Sequence, residues 1–223
     1  MRATFPGQVR SIVRRDFIRE RRSGEVLWVT LPFGAIALLL VPLAVGPDGP
    51  TLQTIGLGMF WVIVMLFGVL IAIRQTNAET QPQRDVVSLT GIDPAAVYLG
   101  RALASFLLLL VFEVVLALVT VALYNIPLTG WGWMPLVMIL VGAGLALLGT
   151  LAAGIVSTGR SSAALVPLLV APLSVPLLIS ATQTFEALRL GRSILMWILM
   201  MIVVGLLVAI AGVLTARPLQ ESG

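Results

Sequence analysis

Six apolar stretches, each long enough to cross a bilayer, take up well over half of this chain. They cover approximately Val26–Val45, Gln53–Ile73, Leu99–Leu123, Met134–Val156, Ala163–Ser180 and Ile194–Leu214. At about 1.5 Å per residue, each matches a hydrocarbon core of roughly 30 Å as a helix. Hydrophobic residues make up 59% of the sequence and charged residues 11%, so the solvent for this fold is lipid. The connections are too short to hold a soluble domain. The expected architecture is one all-α integral membrane domain over residues 1–223 with six transmembrane helices. That narrows the function to transport, signalling, intramembrane catalysis or scaffolding.

The first apolar run follows a strongly charged segment with no small-residue cleavage site behind it, and reads as a retained helix. All fourteen basic residues are Arg. Seven lie in the N-terminal segment; Arg74, Arg84 and Arg101 belong to the second connection, Arg160 to the fourth and Arg217 to the tail. Only Arg189 and Arg192 fall on the opposite side. Basic residues collect in cytoplasmic loops, so both termini are expected in the cytoplasm, and the basic balance reports topology and not a nucleic-acid partner. Cysteine and histidine are absent, which removes disulfides, thiolate metal sites and the commonest general base and haem ligand.

Residues 5–24 are expected to form an interfacial amphipathic helix. Val9, Ile12, Val13 and Phe17 recur at helical spacing, while Arg10, Arg14, Arg15, Arg19 and Glu20 take most of the remaining surface. Such a stripe lies toward the acyl chains, whether as a topology anchor, a docking element or both. The second connection carries Gln83–Thr90, a short amphipathic helix with Val86, Val87 and Leu89 among Arg84, Asp85 and Ser88. Gly91 supplies a stop, and Asp93-Pro94 starts the next helix with Pro at its first position. On the other side, Gly46–Pro50 is a tight turn, and Tyr124, Trp131 and Trp133 fit an aromatic belt.

Within the spans three features stand out. Gly142, Ala146, Thr150 and Gly154 form an i+4 ridge of small residues, a face that admits close helix packing. Pro167, Pro172 and Pro176 crowd the fifth span and predict a kink or a break, with a helix-turn element near the outer side. Glu113 is the one acid deep in a span. It is expected to face protein and to be protonated or hydrogen-bonded, as a functional group or as a structural tie.

The chemistry that is missing matters as much. There is no GxxxxGK[ST] loop, so the chain is not expected to hydrolyse ATP, and there is no HExxH, Ser-His pair or internal repeat. By elimination it is a non-catalytic subunit that needs a partner to do work.

Three stretches carry a family likeness. VRRDFIRERRSGEVL is a basic-acidic helix leading into span one. FWVIVMLFGVLIAIRQTNAETQPQRDVVSLTGIDPAAVYLGRALASFLLLLVFEVV joins two spans through a helix-bearing loop. GTLAAGIVSTGRSSAALVPLLVAPLSVPLLISATQTFEAL runs from a small-residue helix through a Ser/Arg turn into a Pro-rich helix. Together they resemble ABC-2-type ABC permeases, and within that group the CcmB family, the haem exporter protein B of cytochrome c maturation.

The resemblance implies a bacterial inner-membrane permease subunit whose Gln83–Thr90 segment is a cytoplasmic coupling helix. It implies a cytoplasmic ABC ATPase subunit as partner, a haem-handling membrane subunit, a small accessory membrane subunit and a haem chaperone. A homodimer of permease chains within surrounding lipid is a further expectation. ATP would then be held by the partner and haem handled by the complex, with no cofactor or metal bound by this chain. ATP hydrolysis would drive haem export or release of the haem-loaded chaperone. Contacts to the ATPase are expected from Arg14, Asp16 and Arg19 on the N-terminal helix, and from Glu79, Arg84, Asp85, Val86, Val87 and Leu89 in the loop. The alternatives are an ABC-2-type permease for a lipid, glycan or drug, a proton-coupled transporter using Glu113, and a non-transporting scaffold.

Overall fold

Helix α1, Phe5–Ser23, opens with Pro in its first turn, where a missing N–H is no loss. Gly24 closes it in the left-handed region at φ 62°, and its N–H bonds the Glu20 carbonyl. Only glycine takes that conformation without strain. A wide π-helical turn, Val26–Thr30, leads into α2, Leu31–Val45. Then come α3 (Gly49–Asn77), α4 (Pro94–Tyr124), α5 (Met134–Thr158), α6 (Leu165–Arg189) and α7 (Leu195–Glu221), with a 3-10 turn at Trp131–Trp133 before α5. This computed structural model describes residues 4–24, 26–46, 48–77, 92–126, 130–158 and 165–221. Among the described residues, regular structure is helical throughout, and six helices are long and apolar enough to cross a membrane. The protein is an all-α, multi-pass membrane protein.

Six crossings bring α1, the ends joined by residues 78–91 and by 159–164, and the end of α7 to one face. The facing ends of α2 and α3, of α4 and α5, and of α6 and α7 lie on the other. The bundle is organised about α5, which packs against α3, α4, α6 and α7. Of its membrane window 67% is buried, against 17% for the windows of α2 and α7, so α5 is the hub and those two are the rim.

Glycine makes the hub possible. A Cβ at Gly144 would come within 2.6 Å of the Leu177 side chain on α6, and one at Gly149 within 2.8 Å of Ala72 on α3. No side chain fits at those distances, so the two glycines set how near the neighbouring helices come. Of the expected ridge, Ala146 and Thr150 are buried and Gly154 half-buried. The two glycines that meet α6 and α3, Gly144 and Gly149, lie beside that ridge.

Of the kink or break expected in the fifth span, the break with its helix-turn element does not occur: α6 runs unbroken from Leu165 to Arg189 with Pro172 and Pro176 inside it. Its opposite face explains why. Val166, Val170, Ser174, Leu177, Ala181 and Thr184 form one buried stripe on a helix that packs against α3, α5 and α7, while Pro172 is exposed and Pro167 and Pro176 are half-buried. The helix also continues beyond the apolar run that ends at Ser180. There Ser180, Thr182 and Thr184 donate to the carbonyls of Pro176, Leu178 and Ser180, hiding polar groups in the helix's own backbone.

Tyr124 departs from the expected aromatic belt. It is fully buried, and its hydroxyl donates to the Leu38 carbonyl at 2.8 Å, tying the top of α4 to α2. Trp133 is exposed and Trp131 half-buried.

Candidate functional site

Two places in the bundle carry features that packing alone does not require. The first is the foot of α4. Asp93 caps this helix, its Oδ1 accepting from the Ala95 N–H at 3.0 Å, with Pro94 in the first turn as the sequence leads one to expect. The Asp93 N–H in turn donates to Oε1 of Gln8 on α1 at 3.1 Å. One helical turn along α1, Ile12 is buried against Gly100 of α4, where a Cβ would lie 2.9 Å from its side chain. Gln8 and Ile12 share a face at i,i+4 spacing, so α1 is fastened to α4 by a polar contact and an apolar one.

This docking alters the expected orientation of the α1 stripe. Ile12 points into protein and not into acyl chains, Val9 and Val13 are half-buried, and Phe17 is exposed. A glycine socket in α4 offers Ile12 tighter enclosure than lipid does. Of the charges expected to meet a partner, Arg14 and Arg19 are exposed. Asp16 is half-buried and accepts from Nε of Arg15 at 3.3 Å. Glu79, Arg84, Asp85, Val86, Val87 and Leu89, with the expected coupling helix, lie outside the described residues.

Glu113 is the second place. It sits mid-way along α4 at 0% exposure. Its carboxyl rests against α5 at Gly142, where a Cβ would lie 3.2 Å from each oxygen. Neither oxygen meets a hydrogen-bond partner among the described residues. Around it Phe112 packs on Phe67 of α3 and comes close to Gly34 of α2. Gly142, one step of the expected ridge of small residues, is thus where α5 comes against this carboxyl.

Haem or a metal would need ligands, and the chain offers only Met, Tyr and carboxylates as axial donors. Both tyrosines already serve the fold. Tyr124 bonds Leu38, and the Tyr98 hydroxyl donates to the Leu147 carbonyl of α5 at 3.2 Å, with the Val208 carbonyl of α7 3.5 Å away. Among the described residues no three Asp or Glu come together as a metal site.

Sequence reasoning missed Gln8, Ile12 as a docking knob, Gly100 and Tyr98. The signal for Gly100 was faint: a lone glycine in the first turns of a long apolar helix, where a neighbour's close approach is the usual reason to keep one.

The family model for the CcmB protein matches residues 8–218. Heme exporter protein B of Rhodobacter capsulatus is 29% identical over 176 residues, 78% of this chain and 81% of that protein. Heme exporter protein B of Paracoccus denitrificans is 29% identical over 186 residues, 83% of this chain and 84% of its own length. The protein of that name from Haemophilus influenzae is 27% identical over 178 residues, 79% and 80% of the two chains.

Proposed function

The chain belongs to the CcmB family, and on that footing we propose that it is the permease subunit of a haem-exporting ABC transporter serving cytochrome c maturation. A separate cytoplasmic ATPase hydrolyses ATP, and this chain carries the resulting motion into the membrane for haem export or release of a haem-loaded chaperone. The chain itself does no chemistry. Its relatives bear the name Heme exporter protein B, and the sequence lacks a phosphate-binding loop of its own.

The observation that carries the coupling role is the foot of α4. The connection 78–91 returns to the bundle at Ile92 and Asp93, where Gln8 and Ile12 of α1 are fastened. A push on that connection is delivered at once to α1 and to α4. From α4 it passes to α5, the hub. Arg14 and Arg19 are exposed on the same helix, α1, and in this reading contact the ATPase. The Arg distribution supports a cytoplasmic position for this face. Haem-handling and accessory membrane subunits, and a second copy of this chain, complete the assembly in this reading. With no His or Cys here, haem coordination falls to another subunit.

The test is retention of the ATPase. Val86, Val87 and Leu89 are the apolar anchors of the loop, and buried apolar anchors dominate interfaces of this kind. Val87→Asp leaves the amount of chain in the membrane unchanged, removes the ATPase from the purified complex and abolishes c-type cytochrome formation. Full ATPase retention with normal cytochrome levels in that variant would overturn the reading.

A further inference from the structure

We propose that Glu113 and Gly142 form a proton-binding site on the seam between α4 and α5, sealed in this conformation and exchanging its proton when the seam parts. Three observations lead there. The carboxyl is wholly enclosed, it lies against a glycine that leaves just enough room for it, and neither oxygen has a partner among the described residues. Native structures leave a buried polar group unsatisfied only rarely, and such groups concentrate where an ion, a water or a working step is involved.

The ion follows from the surroundings. An enclosed carboxylate needs a counter-charge, because the desolvated anion is otherwise left uncompensated. Every helix packed on α4 can be searched for it. Helices α2 and α5 carry no ionisable side chain, α3 has only Arg74 near its far end, and α7 has only Arg217 and Glu221 at its end. The charges of α1 lie at the foot, where Ile12 meets Gly100. On α4 itself Arg101 is about three turns from Glu113, and Tyr98 and Tyr124 are both committed to carbonyls. Among the described residues no Arg is within reach, and no second acid is present to share a metal. The cation that fits a single carboxyl in a space this size is a proton.

The glycine makes the site conditional on the seam. With α4 and α5 in contact, the neutral acid fills the gap at Gly142. Where the helices separate, the same carboxyl meets water and gives up its proton to it. The device does not depend on what the protein transports or on which ATPase drives it.

The test uses the full-length chain in membrane vesicles and two carbodiimides, which react with protonated carboxylic acids. The lipid-soluble dicyclohexylcarbodiimide is expected to modify Glu113, as located by peptide mass spectrometry. A water-soluble carbodiimide is expected to leave it untouched while modifying exposed acids such as Asp48. The infrared spectrum should hold a protonated-carboxyl band that disappears in Glu113→Gln. Gly142→Ala, which crowds both oxygens, should lower labelling by dicyclohexylcarbodiimide several-fold and weaken the protonated-carboxyl band, by forcing the carboxyl off the seam, where it ionises. Equal labelling by the two reagents in the wild-type chain, or a carboxyl band that survives in Glu113→Gln, would overturn the proposal. So would Gly142→Ala labelling identical to wild type. The wild-type experiments need no variant to fold, and success or failure here leaves the haem-export reading to its own test.

Discussion

Ile12 and Gly100 make a knob and a socket, and the socket has no slack. A Cβ at Gly100 would come within 2.9 Å of Ile12, so Gly100→Val must expel it. Exposing an isoleucine again costs about 1.5–3 kcal/mol, enough to change a docking equilibrium by tenfold or more. The expected outcome is an α1 that stays helical but leaves α4. Trypsin then cuts after its arginines far faster in Gly100→Val than in the wild-type chain, with the six spans still protected. Unchanged cutting would mean that α1 is held by something other than this contact. Such pairings are hard to read from residues alone. Glu113 announces itself, since an acid amid leucines has to be explained. Gly100 and Gly142 look like any glycine in a membrane helix, and what each accommodates depends on a partner remote in sequence. The capping pair Asp93-Pro94 was legible because its partners are its own neighbours.

Helix α6 shows how a local rule is overruled by what surrounds it. In a soluble helix an interior proline costs about 3 kcal/mol, and three of them read as a break. Here the buried stripe from Val166 to Thr184 keeps the helix whole, with the rings turned away from it or only half-buried. Pro176→Ala should therefore leave the fold intact. It restores a donor for the Pro172 carbonyl, so the melting temperature in detergent should stay level or rise. A clear fall would mean that the pyrrolidine ring itself packs against something essential. The six spans were legible because lipid leaves few alternatives to a long apolar helix. Their ends were less so, and α6 gives the reason. Hydroxyls that bond the preceding turn let a helix run on past the point where hydropathy falls.

Across the molecule, an even number of crossings places α1 and the end of α7 on one face and the turn at residues 190–194 on the other. The opposite face is poorer in free charge than its two arginines imply, since Arg189 donates to Glu186 at 2.9 Å. The orientation proposed above predicts a labelling pattern. Because the chain has no cysteine, a single Ser193→Cys should react with an impermeant maleimide in intact cells. Ser11→Cys should react only after the membrane is opened. The reverse pattern would invert the topology and move the proposed ATPase face to the wrong compartment. Sequence pattern sufficed for this level of organisation, but not for the choice of hub. Which helix sits at the centre depends on matching surfaces from four neighbours, and it is the burial of α5 among them that identifies it.

The central place of α5 has a consequence for biosynthesis. Spans enter the membrane in the order in which they are made, and α5 is the fourth of six. Until it arrives, α2, α3 and α4 stand together without the helix on which they will be arranged, and the side of Glu113 that Gly142 will cover is bare. A carboxyl facing hydrocarbon at mid-span carries a cost of about 2.5–3.5 kcal/mol on insertion scales. The half-made protein is thus marked by a polar flaw that the completed one conceals.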